Sequence, residues 1–320
     1  MRRKVEGAPA PKQANVSADV LLRRLHWTVL RPLAAALGGD EQSLVRGFGA
    51  EMTEVREYQV GDDVRHIDWN VTARSDRPFV RESYVDRALD VWLVLDLSAS
   101  VDWGTAECLK RDRALEFAAV VGQLLGRHSN RVGALLFANS PLTFVAPSAG
   151  RAHMLRILAA MQAEPPQGET GATDLQSALI QANAVIRRKS LVLIVSDFLV
   201  ADGWQTALGQ LAQRHEIIAV RLHDPRESEL PDVGFITLED PETGAQLMVN
   251  TSDRSLRERF QSAACVQAED IRTALARHGI DQLTLSTADP LLPALVEFLE
   301  LRRRRPAAAN VASTSLDRRI

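Results

Sequence analysis

Apolar positions along this chain follow two rhythms, short unbroken runs and stripes spaced three or four residues apart, and the order in which they alternate predicts an architecture. The runs ending at Asp96, Phe137, Asp197 and Leu222 are nearly continuous in Val, Leu and Ile, as expected of parallel strands buried on both faces. Helical spacing fills the intervals, at about Arg111 to Gly126, Ala152 to Ala163, Asp174 to Arg188 and Gly203 to Arg214. A shorter strand, Leu142 to Val145, follows an Asn-Ser-Pro turn. Strand and helix in alternation predict an α/β fold with a doubly wound, mostly parallel sheet of the Rossmann type. Beyond it, Gly234 to Leu238 and Gln246 to Val249 flank Asp240-Pro-Glu-Thr-Gly244 and predict a hairpin. Ser255 to His278 reads as a long helix stopped by Gly279, Gln282 to Leu285 as a strand, and Pro290 to Arg305 as a closing helix.

Ahead of the alternation, Val16 to Leu37 carries Val20, Leu21, Leu25, Val29, Leu30, Leu33 and Leu37 at helical spacing and stops at Gly38-Gly39. Such a stripe suits docking on the body or on another protein, and its spacing is compatible with both. Residues 47–87 then change to dense mixed charge interleaved with aromatics. One reading is a salt-bridged β region clamped onto the main domain, with Trp69 as an anchor. The other is a partner-facing surface carried by Arg65, Asp68, Trp69 and Arg74, because Arg and Trp dominate interface hot spots. On either reading these residues belong to a folded element. The expected organisation is a disordered tail over 1–15, a helix with a charged β-rich extension over 16–87, the α/β domain with C-terminal additions over 88–300, and a basic tail over 301–320.

Composition narrows the function classes. A chain of 320 residues that is 46% hydrophobic can bury a sizeable core. Cys108 and Cys265 match no metal or redox spacing, which suits a reducing compartment. Gly, Pro, Lys and Gln stand where a signal peptide would need an apolar stretch, and the run Leu191 to Val195 falls far short of the roughly 20 residues that span a bilayer. A soluble, cytoplasmic protein without a membrane span is expected. The net charge is −3, with six Arg against one Asp in residues 301–320. That tail reads as a solvated helix end rather than a nucleic-acid contact, since the remainder is acidic and aromatics are 5%.

The candidate chemistry sits where the apolar run from Asp90 ends in Asp96, Ser98 and Ser100. Open α/β sheets bind ligands beyond the carboxyl ends of their strands, and short hydroxyl and carboxylate side chains alternating along one loop can aim their oxygens at a single hard cation. Two further segments are expected at the same edge, Gly171-Ala-Thr-Asp174 and Ser196-Asp197. Read singly, Thr173 is an N-cap for the following helix and Asp197 an ordinary strand-end residue. Read together, they supply further oxygens for a cation held at Ser98 and Ser100. No Lys stands in the loops at this edge to steady a phosphoryl group, and no nucleophile and base are paired, so catalytic residues are not expected. The alternative is a Mg²⁺-dependent phosphohydrolase with Asp96 as nucleophile. Because the edge is a solvent-facing crevice, Asp96→Ala or Ser98→Ala should leave the fold nearly intact.

The order Asp96-x-Ser98-x-Ser100, then Thr173, then Asp197 resembles the metal-ion-dependent adhesion site of von Willebrand factor A domains. Glu57-Tyr-Gln-Val-Gly-Asp-Asp-Val-Arg-His-Ile-Asp-Trp-Asn-Val-Thr-Ala-Arg74 resembles the signature of the bacterial domain of unknown function 58 family, which carries such a domain. Together the resemblances cover roughly residues 47 to 225. Val60, Ala172 and Val101 depart from the family pattern without removing an oxygen ligand. The resemblance implies Mg²⁺ or Mn²⁺ bound directly by Ser98 and Ser100, by Thr173 directly or through water, and by Asp96 and Asp197 through water or hydrogen bonds. It also implies a bacterial, non-enzymatic interaction module working with a MoxR-type AAA+ ATPase, and with other von Willebrand factor A proteins as further partners.

Overall fold

A strand buried at every position needs cover on both faces, and Asp90–Asp96 meets that condition along its whole length. The computed structural model describes residues 18–25, 29–30, 33, 53–58, 64, 67, 69–75, 77–83, 90–125, 130–138, 143–163 and 173–304. In chain order the elements are α1 Ala18–Leu25, β1 Thr53–Glu57, α2 Trp69–Thr72, β2 Phe79–Ser83, β3 Asp90–Asp96, α3 Lys110–Leu125, β4 Arg131–Phe137, β5 Thr143–Ser148 and α4 Arg151–Gln162. They continue with α5 Leu175–Val185, β6 Leu191–Ser196, α6 Trp204–Ala212, β7 Glu216–His223, β8 Phe235–Glu239, β9 Gln246–Asn250, α7 Arg254–Arg277, β10 Asp281–Ser286 and α8 Leu291–Arg304.

The main sheet has the order β10-β7-β6-β3-β4-β5. Its pairs are parallel except β4 with β5, so the expected doubly wound, mostly parallel sheet is present. From β3 the chain moves outward through β4 to the edge, then returns to the other flank of β3 with β6. The order therefore reverses at β3, and this reversal is where an open α/β sheet leaves a crevice at its carboxyl edge.

The pleat explains how the sheet is clothed. Val91, Leu93 and Leu95 of β3 join one apolar cluster, with residues of α1, α3, α4 and α8, while Trp92 and Val94 join another with residues of α5, α6 and α7. Successive side chains of a strand point to opposite faces, so a run with no polar interruption feeds both layers. The edge strand β5 tolerates Pro147 because one of its sides has no strand to bond. Beside it, a Cβ on Gly133 would lie 2.9 Å from the Trp92 ring and 3.0 Å from Pro147, so glycine is what lets the ring lie against the strand.

The described part of the stripe read at Val16 to Leu37 docks on the body except at Val20, which is exposed, and Leu37 lies outside the described residues. Leu21, Leu22, Leu25, Val29, Leu30 and Leu33 are buried in the same cluster as α3 and α4. Arg24 pairs with Glu116 at 3.5 Å, Asp19 pairs with Arg151, and Gln123 donates to the Leu22 carbonyl at 3.1 Å. The charged extension contributes the antiparallel pair β1 and β2, clasped by Arg77 and Glu57 at 2.9 Å, with α2 against β2. From the basic tail, Arg302 bonds Glu216 at 2.6 Å and Asp281 at 3.0 Å, so this arginine ties α8 to the sheet. Cys108 and Cys265 are free thiols. Among the described residues no helix is long and apolar enough to cross a membrane.

Candidate metal centre

β3 and β6 run parallel and in register from Val91 with Leu191 to Leu95 with Val195, which delivers Asp96 and Ser196 side by side at the carboxyl edge. Ser196 Oγ donates to Asp96 Oδ2 at 2.6 Å, and the Ser98 amide donates to Asp96 Oδ1 at 3.0 Å. Both oxygens of this carboxylate therefore hold the two loops that leave the strands. Asp96 and Ser98 are each 1% exposed, which corrects the expectation of a solvent-facing crevice at these positions. The strand end is roofed by its own loops, so truncating Asp96 strips partners from two buried donors.

Ser98 Oγ and Ser100 Oγ lie 3.0 Å apart. Oxygens on adjacent corners of a Mg²⁺ octahedron, each about 2.0–2.1 Å from the ion, are about 2.9 Å apart, so the two hydroxyls already have the spacing of neighbouring ligands. The electrostatics call for a cation as well. Burial, and then the charge of Asp197, raise the Asp96 pKa to about 7. A hard divalent ion suits hydroxyl and carboxylate oxygens of this kind.

Asp197 occupies the next position on β6's loop, with Oδ1 accepting from the Leu199 amide at 3.0 Å. Between them Phe198 adopts φ 58°, a left-handed conformation costly for a bulky residue, and its ring packs on Trp204 at 5.5 Å. Asp197 Oδ2 accepts from Lys110 Nζ at 2.7 Å, and the same ammonium reaches Glu227 Oε1 at 2.5 Å. Sequence reasoning missed Lys110. It opens α3 just past the loop, is 1% exposed, and stands at the edge where no lysine was expected. Burial works against its charge, but Asp197 and Glu227 outweigh burial and hold its pKa above the ordinary lysine value. The available signal was compositional: the chain uses Arg almost throughout and keeps few Lys.

Thr173 reaches the same edge by topology. α5 ends at Val185 just before β6 begins at Leu191, so its other end, where Thr173 lies, faces the carboxyl edge, and α5 packs on β3 and β4. Thr173 is not the N-cap. Asp174 takes that role, accepting from the Ser177 amide at 2.8 Å, which leaves the Thr173 hydroxyl for other use. That hydroxyl donates to Glu242 Oε1 at 2.5 Å, and the Thr173 amide donates to Glu242 Oε2 at 3.1 Å. Glu242, at the tip of the β8–β9 hairpin, is a second residue that sequence reasoning missed.

The structure thus links Asp96, Ser98, Ser100 and Asp197 through hydrogen bonds and adjacent backbone, and brings Thr173 to their edge. The other predicted surface is separate in kind. Trp69 opens α2 and is 69% exposed, so it does not anchor the fold, and Arg74 is exposed in the turn that follows. Arg65 and Asp68 lie outside the described residues.

Comparison with known proteins agrees with the sequence signature. A family described as "Protein of unknown function DUF58" matches residues 54–270. An uncharacterized protein of Mycobacterium tuberculosis is 41% identical over 292 residues, covering 90% of this chain and 91% of that protein. An uncharacterized protein of Mycobacterium avium is 36% identical over 171 residues, 53% of this chain and 99% of that protein. Among solved structures, a conserved hypothetical protein BatB from Bacteroides thetaiotaomicron is 13% identical with a TM-score of 0.46, covering 68% of this chain and 100% of that one. The SpRpn10 VWA domain is 12% identical with a TM-score of 0.36, covering 65% of this chain and 94% of that one.

Proposed function

Because the chain belongs to the DUF58 family, we propose that it is a non-enzymatic, metal-dependent protein-interaction module that captures an acidic side chain of a partner. The observation that carries this is the Ser98 and Ser100 hydroxyl pair at octahedral spacing beside a carboxylate whose two oxygens are already engaged. Ser98, Ser100 and Thr173 would hold Mg²⁺ or Mn²⁺ through hydroxyl oxygens, with Asp96 and Asp197 acting through water or hydrogen bonds. Neutral hydroxyls leave most of the ion's charge uncompensated, so the bound cation would supply a strong attraction for an incoming carboxylate. The chain's own groups do the positioning: Asp96 fixes the Ser98 loop, Ser196 ties that loop to β6, and Lys110 neutralises Asp197 from behind.

The family resemblance points to a MoxR-type AAA+ ATPase as partner, with this chain serving as adaptor or co-chaperone in the cytoplasm and other von Willebrand factor A proteins as further partners. Trp69 and Arg74 offer a second contact surface. A phosphohydrolase using Asp96 as nucleophile is disfavoured by the engagement of both its oxygens and by its burial. The Lys110 ammonium is likewise taken up by two carboxylates.

The test is calorimetric titration of the protein with the candidate ATPase in Mg²⁺ and in chelator, repeated with Ser98→Ala. Binding that disappears in chelator and in the variant is the expected result. Affinity that survives both would move the docking surface to the charged extension, and robust phosphatase turnover lost in Asp96→Asn would overturn the non-enzymatic reading.

A further inference from the structure

The β8–β9 hairpin brings a carboxylate of the chain itself onto Thr173, one of the candidate cation ligands. Glu242 places both carboxylate oxygens on Thr173, across 69 residues of sequence. We infer that Glu242 is an internal ligand of the cation site, occupying the position that a partner's carboxylate would take and holding the module closed until it is displaced. This deepens the metal-dependent reading above and rests on it.

Three features support the assignment. Glu242 Oε1 is 2.5 Å from Thr173 Oγ1, and neighbouring oxygens of an octahedral Mg²⁺ shell are about 2.9 Å apart, so a shift of about half an ångström converts the contact into a pair of adjacent ligands. The tip is built to present the side chain. Asp240 Oδ1 accepts from the Glu242 amide at 3.0 Å, Asp240 Oδ2 accepts from Thr243 Oγ1 at 2.5 Å, and Gly244, at φ 71°, donates to the Asp240 carbonyl at 2.8 Å. Finally, the hairpin can leave at low cost. Phe235, Leu247 and Met248 are already exposed, so lifting it uncovers little apolar surface, while its two strands stay closed at the base by Thr251, which donates to the Gly234 carbonyl at 2.8 Å.

An intramolecular carboxylate acts at an effective concentration of about millimolar, so an external acid must outcompete it and its apparent affinity falls accordingly. The class of partner that fits is an acidic segment that grips the hairpin or exceeds it in affinity for the site.

The experiment uses Mn²⁺ as the probe with the full chain and its Glu242→Ala, Glu242→Gln and Ser98→Ala variants. Free Mn²⁺ is read by electron paramagnetic resonance and bound water by proton relaxation. A labelled peptide of residues 237–247 serves as the external carboxylate, read by fluorescence anisotropy. Expected for Glu242→Ala are Mn²⁺ affinity about tenfold weaker than wild type, one more bound water, and Mn²⁺-dependent peptide binding that the wild type lacks. Glu242→Gln, which retains hydrogen-bonding capacity toward Thr173, should melt like wild type yet share the metal phenotype. If Mn²⁺ binds wild type and is lost in Ser98→Ala, but Glu242→Ala matches wild type in affinity, water count and peptide binding, the internal-ligand assignment falls and the metal centre stands. If wild type and Glu242→Ala both bind no Mn²⁺, the metal reading falls and this inference falls with it.

Discussion

Replacing Lys110 by Met removes one buried ammonium and leaves Asp197 and Glu227 facing each other's charge without their shared counter-ion. At an effective dielectric constant near 20, a pair about 2.7 Å apart attracts by about 6 kcal/mol, and burying the ammonium consumes several kcal/mol of that. Removing one partner of such a buried pair costs about 3–5 kcal/mol, because the remaining charge keeps its desolvation penalty. For a chain of this size each kcal/mol shifts the melting temperature by about 1.5 °C, so Lys110→Met should melt about 4–8 °C below wild type in chelator. The Lys110 pKa is raised, so its contribution is fully present below the ordinary lysine value and is lost only as pH rises through the folded one. The deficit should therefore be flat across neutral pH. Adding Asp197→Asn to Lys110→Met should recover part of the loss, a coupling that a double-mutant cycle reads directly. Differential scanning calorimetry in chelator, followed by Mg²⁺ addition, is the assay, and Mg²⁺ should rescue Lys110→Met more than wild type by binding beside an uncompensated Asp197. A Lys110→Met protein that melts within about 2 °C of wild type in chelator would refute the counter-ion role.

Asp224 accepts from the Thr105 amide at 2.7 Å, Thr105 Oγ1 at 2.6 Å, Thr287 Oγ1 at 2.6 Å and the Arg226 amide at 2.9 Å, so Asp224→Ala should cost about 3 kcal/mol or more in urea unfolding. Although burial opposes it, hydrogen bonds led by Thr105 and Thr287 lower its pKa; its stabilisation should hold above the unfolded carboxylate value near pH 4 and fade as acid titrates through the folded value. Leu25→Ala should lose about 2–5 kcal/mol by calorimetry, because Leu25 is buried against the body rather than waiting for a partner. Asp96→Asn should retain an acceptor for the Ser98 amide and fold well, whereas Asp96→Ala should lose about 1–3 kcal/mol by orphaning the Ser98 amide and Ser196 hydroxyl; equal melting temperatures would contradict that.

The elements of the α/β core were legible because their signals are local. The runs of Val, Leu and Ile placed β3, β4, β6 and β7 within a residue or so, and turn chemistry at Asp240 to Gly244 placed the hairpin. Asp96, Ser98, Ser100 and Asp197 were legible because strand ends and loop spacing put their oxygens at one edge. Lys110 and Glu242 were not, because their partners stand 87 and 69 residues away and no periodicity reports which side chain will arrive at a loop. Thr173 was half legible. Its place at a helix start was clear, but whether it or Asp174 caps the helix depends on one hydrogen bond, from the Ser177 amide. The destination of the Leu21 to Leu33 stripe was open for the same reason, since an apolar face specifies that it must be covered and not by what.

That stripe shares its cluster with Leu291, Leu295 and Leu299 of α8, so segments more than 250 residues apart in the chain enclose one body of side chains. At a synthesis rate of about 5–20 residues per second, the stripe leaves the ribosome roughly 13–50 s before the α8 leucines that join the same cluster. During that interval the cluster that holds Leu22, Leu25 and Leu33 is incomplete, and a nascent chain in this state is a natural client for holding factors. Final closure of this layer is thus an event that follows translation of residue 299, and fragments cut short of it will expose leucines to water.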